Sequence, residues 1–187
     1  MIKLDPPRKK VHSNNKKNRK IPVSIFLVLF AVVVILIYLG VSSKTPQSDL
    51  PGKVVAEPRS YIGKIDQAQA IQPDFNDGQA RIELADVDRL NIVDFELSNN
   101  KGEIVPVMAY ITSSGRLFVG NSICACGGIK FSLAGEVLVC DSCRTTFTIE
   151  DQKFMSGSVT AGKNPPARIK SVVENGMIVI EQSDVGN

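Results

Sequence analysis

The pattern of apolar and polar positions changes twice along the chain. The first twenty residues, MIKLDPPRKKVHSNNKKNRK, contain no apolar run and two prolines, and predict a tail without regular structure. Residues 21–40, IPVSIFLVLFAVVVILIYLG, then carry no charge at all. As a helix rising about 1.5 Å per residue they would span roughly 30 Å, the thickness of a bilayer's hydrocarbon core. A helix of that length in water would show a polar stripe, and this one offers only Ser24 and, near its C-terminal end, the interfacial ring of Tyr38. The run is longer than a signal peptide's apolar core and no A-x-A-like site follows, so a retained transmembrane anchor is expected rather than a cleaved leader. Residues 41–75 lose the pattern: Pro46, Pro51, Pro58 and Pro73 interrupt it. They read as a linker, with one short helix around residues 60–70 as its sole candidate element.

From residue 76 onward the chain reads as strands, alternating or in short apolar runs between turn signals. ARIELADV alternates with Ile82 and Leu84 on one side, and LNIVDFEL continues with Ile92, Phe95 and Leu97. EIVPVMAYITSSGRLFVG reads as a hairpin turning at Ser113, Ser114 and Gly115. KFSLAGEVLV gives two short apolar runs about Ala134 and Gly135; FTIEDQKFMSG and ARIKSVVENGMIVIE follow, the last with Asn175-Gly176 as a type I′ turn signal. No amphipathic helix is expected outside the apolar span. The prediction is a mainly β outer domain, a small sandwich or barrel over residues 76–187, on a single N-terminal transmembrane helix.

Charge adds the orientation. The 187 residues carry 22 Lys and Arg against 19 Asp and Glu, a net charge of +3. Eight of the basic residues lie in the first twenty, with Asp5 as the one acid there, so the tail is +7 and the remainder −4. The positive-inside rule places the tail, residues 1–20, in the cytoplasm and the β domain outside it, in a single-pass cell-membrane protein. A polybasic tail beside a membrane also meets anionic lipid. Nothing beyond it combines basic patches with aromatics, so nucleic acid is not an expected partner.

The chemistry is concentrated in ICACGGIKFSLAGEVLVCDSCRTTF, which holds all four cysteines. Cys124 and Cys126 are spaced C-x-C, Cys140 and Cys143 C-x-x-C, with thirteen residues between the pairs. Pairs this close curl two thiolates toward one centre, and Gly127 and Gly128 permit the first turn. Four thiolates select zinc, iron, Cu(I) or an iron–sulfur cluster, so all four cysteines are candidate metal and cofactor ligands. An even number of cysteines outside the cytoplasm also suits disulfides, and C-x-x-C suits thiol–disulfide exchange. Stapling disulfides, however, close long loops, and these cysteines crowd two adjacent turns. Lys130 and Arg144 flank the loops and either stabilise thiolate charge, meet an acidic partner or are simply solvated. The one histidine, His12, is in the tail and is not an expected ligand. With no histidine in the outer domain, no Ser–His or Cys–His nucleophile is available. Asp74, Asp77 and Gly78 lack the glutamate that would complete a calcium loop, and Asp86, Asp88, Asp94 and Glu96 read as solvated.

Gly115-Arg116-Leu117 before the first pair, the two cysteine pairs, Phe147, Gly157 and Asn164-Pro165 together resemble the FtrD-like membrane iron–sulfur proteins over about residues 79–182. The first pair here is C-x-C where that family more often has C-x-x-C. The stretch is also similar to a Rieske domain, whose C-x-H and C-x-x-H loops keep both spacings. By that resemblance Cys124 and Cys140 would hold one iron of a [2Fe–2S] cluster, and Cys126 and Cys143 would replace the histidines on the other. Two thiolates in place of two imidazoles add negative charge and would lower the potential toward that of all-cysteine ferredoxins. The resemblance implies an electron carrier or metal-binding protein, rather than a self-contained enzyme, serving a membrane redox or iron-transport partner. A single zinc or iron ion is the alternative cofactor, since a cluster built in the cytosol would have to cross the membrane in a folded domain and Arg19-Lys20 is a poor twin-arginine signal. A structural-zinc interaction module and a thiol–disulfide protein are the competing functions.

Overall fold

The protein is described by a computed structural model over residues 52–186; the basic tail, the expected span at 21–40 and the start of the linker lie outside the described residues. Among the described residues no helix is long and apolar enough to cross a membrane.

The strands form three sheets. The central sheet joins β5 (Ile92–Ser98), β6 (Ile104–Ile111) and β7 (Leu117–Asn121), with the short β2 (Gln69–Ala70) parallel on its edge. Because side chains alternate faces along a strand, each of its three long strands serves two cores. Val93, Phe95, Leu97, Val107, Ala109, Ile111 and Val119 point to one, Ile92, Met108, Tyr110 and Phe118 to the other. The run Val107 to Ile111 is therefore buried throughout, as expected for a strand covered on both sides. The first core is closed by a second sheet of β3 (Asp74–Asn76), β4 (Gln79–Glu83), β12 (Val172–Glu174) and β13 (Met177–Glu181). Asn175 and Gly176, at φ 50° and 78°, make the turn expected between β12 and β13. The second core is closed by a third sheet, in which β8 (Phe131–Ala134) and β9 (Val137–Cys140) pair antiparallel, flanked by β1 (Ile65–Gln67) on one side and by β10 (Thr146–Thr148) and β11 (Phe154–Ser156) on the other. The mainly β domain is thus borne out, as three sheets with a doubly covered middle one rather than a two-sheet sandwich or a single barrel.

Two expectations are corrected. ARIELADV is not one strand: β4 ends at Glu83 and helix α1 (Leu84–Leu90) begins. Leu84, Val87 and Leu90 recur at three-residue spacing, so the helix turns one face to the first core while Asp86 and Arg89 pair on the other at 2.7 Å. Asn91 ends it in the left-handed region at φ 66°. A single turn, α2 (Val159–Gly162), is the other α-helix among the described residues, capped by the Ser158 hydroxyl. The second correction concerns the linker. Residues 60–70 are not helical, and the described part of the expected linker belongs to the fold. Tyr61 is buried, its hydroxyl donating to the Ile111 carbonyl at 2.5 Å, and β1, β2 and β3 dock on sheet edges. Their side chains stay largely exposed. Such edge strands bind through backbone hydrogen bonds and leave little hydrophobic pattern to read.

Candidate metal centre

The β8–β9 hairpin builds the site. Its two-residue turn, Gly135-Glu136, lies at one end; at the other, Phe131 pairs with Cys140. Residues 124–130 lead into β8 and residues 141–145 leave β9, so the register alone sets both cysteine loops side by side. Asp141 N–H donates to the Lys130 carbonyl at 3.0 Å and the Ser132 hydroxyl donates to the Asp141 carboxylate at 2.8 Å, tying the loop bases together.

Each loop makes a tight turn around its cysteine pair. In the first, Gly127 N–H donates to the Cys124 carbonyl and Cys124 N–H to the Gly128 carbonyl, both at 2.8 Å. In the second, Arg144 N–H donates to the Cys140 carbonyl and Cys140 N–H to the Thr145 carbonyl, both at 2.9 Å. The residue after the second cysteine is left-handed in both: Gly127 at φ 88°, Arg144 at φ 60°. Glycine takes that conformation freely and arginine does not. Gly128 meets a different demand. A Cβ there would lie 2.6 Å from the Ser142 hydroxyl oxygen and 3.1 Å from Cys140 Sγ. Only a residue without a side chain lets the loops approach this closely.

The result brings all four expected site residues together. Cys124 Sγ lies 3.7 Å from Cys143 Sγ, and Cys126 Sγ 3.7 Å from Cys140 Sγ. All four sulfurs lie within 4.8 Å of one another. All are free thiols, well beyond the ~2.05 Å of a disulfide bond. Cys124 and Cys140 are buried in the second core, Cys143 is half-buried and Cys126 is exposed, so the set faces solvent on one side only.

The protonation of these thiols differs by environment. Burial pushes the Cys124 and Cys140 thiols up. Cys143 is lowered to about 6, first by its hydrogen bond with Thr145, whose Oγ1 lies 3.0 Å from the sulfur. Thr145 is fully buried, and its Oγ1 accepts the Ser158 N–H at 3.1 Å. With a donor already aimed at that oxygen, the hydroxyl proton is free to point at sulfur. The role of Thr145 was not read from the sequence; the available signal was a hydroxyl two residues beyond a ligand cysteine, within reach of its sulfur across a turn. Of the two flanking cations, Lys130 pairs with Asp94 at 2.6 Å, so these two charges are partners rather than simply solvated. Arg144 has an exposed side chain and contributes its backbone to the loop. Asp88 likewise pairs with Arg59.

Four thiolates on two turns are a donor set for zinc or iron. The donor chemistry suits an iron centre; the span of the sulfurs suits one ion. A separate cleft of about 730 Å³, lined by Glu57, Arg59, Tyr61 and Asp88 among others, includes none of the cysteines.

No curated protein and no solved structure matches this chain. Residues 87–187 match the family model described as membrane iron-sulfur containing protein FtrD-like. That match takes in both cysteine loops and more than half of the chain, which thus belongs to the FtrD-like family of membrane iron–sulfur proteins.

Proposed function

We propose that the protein is a membrane-anchored one-electron carrier, with an iron centre on four thiolates, that serves an iron-uptake or respiratory partner in the same membrane. The observation that carries this reading is the convergence of four sulfurs within 4.8 Å at the end of one hairpin, with Cys126 alone at the surface. Buried ligands hold a centre against loss and exchange. One exposed ligand gives an electron a short path to a docked protein. Ile123 and Ile129, exposed on either side of Cys126, supply apolar surface for such a contact. Iron is favoured by the family description. The anchor is residues 21–40, and the basic tail before it keeps the N-terminus in the cytoplasm and the described domain outside. The likeness to a Rieske domain enters this reading as layout alone: two loops side by side at one end of a hairpin, with thiolates in place of neutral imidazoles.

The test is the full-length chain extracted from membranes in detergent and kept free of oxygen. A coloured protein that bleaches reversibly on chemical reduction, with a matching change in its EPR signal, supports a carrier. A colourless protein with bound zinc and no redox response supports the structural-zinc module, for which the same sulfur set is equally suited. Metal-free protein with bridged thiols would sink both.

A further inference from the structure

The family description names iron and sulfur together, yet the sulfur positions argue for less. We infer that the four cysteines hold a single metal ion directly, with no inorganic sulfide, so that the centre is a mononuclear tetrathiolate. The inference rests on the reading of the cysteines as ligands and refines what they hold.

Metal–thiolate bonds of about 2.3 Å at tetrahedral angles place neighbouring sulfurs about 3.8 Å apart. The distances of 3.7 Å between Cys124 and Cys143 and between Cys126 and Cys140 are edges of such a tetrahedron. Two irons bridged by two sulfides, with bonds of the same length, lie about 2.7 Å apart, which sets thiolates on different irons about 5.3 Å apart at the nearest and about 6.5 Å across the diagonal. The widest separation in this set, 4.8 Å, falls short even of the nearer figure. A four-iron cube would spread its ligands further still.

Opening the loops to admit a cluster would disturb several contacts together. The Asp141 N–H to Lys130 carbonyl bond and the Phe131–Cys140 pair hold the loop bases at strand spacing. Gly128 packs against Ser142 and Cys140 with no room for a methyl group. Cys124 and Cys140 are fixed in the second core among Phe131, Leu138 and Phe147. The C-x-C spacing works in the same direction, because one intervening residue leaves less slack than two. A mononuclear site also needs no cluster assembly before export: a chain threaded outward unfolded takes up one ion from solution as it folds.

The experiment is a stoichiometry. Full-length protein is purified anaerobically in detergent from cells supplied with iron. Iron, zinc and acid-labile sulfide are counted per chain, and stripped protein is then titrated with ferrous iron alone. The expected result is one metal ion per chain, no labile sulfide, and saturation at one equivalent of iron without added sulfide. Two or more irons with equal inorganic sulfide would overturn this inference and leave the carrier standing. Protein that neither carries nor takes up metal, with its cysteines oxidised in pairs, would overturn the carrier reading and this inference together.

Discussion

The two cysteine loops reach the same geometry by different means. The first, Cys124-Ala125-Cys126-Gly127-Gly128, relies on missing side chains: Gly127 takes the left-handed turn and Gly128 lets the second loop come close. The second, Cys140 to Thr145, has no glycine. It accepts a left-handed arginine at 144 and adds a polar contact from Thr145 to Cys143. The first loop presents an exposed cysteine, Cys126; the second has none fully exposed. The comparison suggests a division of labour. The glycine loop supplies access and close approach, and the threonine loop supplies electrostatic control of a sulfur.

The strongest way to break that comparison is to remove one ligand from each loop. Cys140→Ser replaces a fully buried sulfur in the second core and leaves three thiolates. It should abolish stoichiometric metal binding and, from the altered core contact, lower stability by ~1–3 kcal/mol. Cys126→Ser should also impair metal binding, but with much less effect on the metal-free fold, since Cys126 is exposed. Metal content and denaturant unfolding of the stripped proteins separate the two effects. Equal destabilisation of both apo forms would count against the buried-and-exposed asymmetry.

Next in size is Gly128→Ala. Its Cβ would fall within 2.6 Å of Ser142 Oγ, so the loops must part or Ser142 must turn away. Overpacking of this kind typically costs ~1–3 kcal/mol, and metal affinity should fall because the sulfurs no longer converge. Competition with a chromophoric chelator measures it. Unchanged affinity would mean that Ser142 simply rotates and the close approach is not required.

Thr145→Val sharpens the electrostatic half. It keeps the shape, removes the hydroxyl donor to Cys143 and leaves the Ser158 N–H without its acceptor. Loss of a supporting hydrogen bond of this kind typically lowers metal affinity ~10- to 100-fold, and an iron centre should become harder to reduce as charge on sulfur rises. The metal-free protein gives the sign independently. Cys143 is lowered to about 6, so it is a thiolate at neutral pH and its alkylation should slow only as pH falls through about 6. In the valine variant that decline should begin at higher pH, nearer the ordinary thiol range. Rates followed by peptide mass spectrometry decide it, and an unmoved profile would show that Thr145 does not act on the sulfur.

The smallest effect is expected at Arg144→Gly. A non-glycine residue in the left-handed region costs ~1–2 kcal/mol, offset in part by the greater chain entropy of glycine. A gain of a few tenths to ~1 kcal/mol in the melting of the metal-free protein is expected, with metal stoichiometry unchanged. Destabilisation would mean that the arginine side chain makes a contact worth more than its backbone strain.

How far the sequence alone reaches varies with the element. The central hairpin was legible because two apolar runs, β6 and β7, flank the turn signal Ser113-Ser114-Gly115. The β12–β13 turn was legible from Asn175-Gly176 for the same local reason. The four-cysteine cluster was legible from spacing, since two short-range pairs account for every cysteine in the chain. What escaped was non-local or weakly patterned. Helix α1 spans only seven residues, too few for its three-residue repeat to outweigh the alternation of β4 before it. Strands β1 to β3 are polar, exposed edges held through their backbones, and nothing in DQAQAIQPDFN announces a docked strand. Thr145 escaped because its function needs Ser158, thirteen residues away, to fix the direction of its hydroxyl. Lys130 read from the sequence as stabilising thiolate charge, meeting an acidic partner or simply solvated, and only the fold reveals Asp94 beside it.

The central claim is that four sulfurs surround one ion, and X-ray absorption at the iron edge of the loaded full-length protein tests it without counting atoms in solution. The account predicts a single shell of about four sulfurs near 2.3 Å and no neighbouring metal. A second iron in the spectrum, at the short separation that bridging sulfides impose, would contradict it.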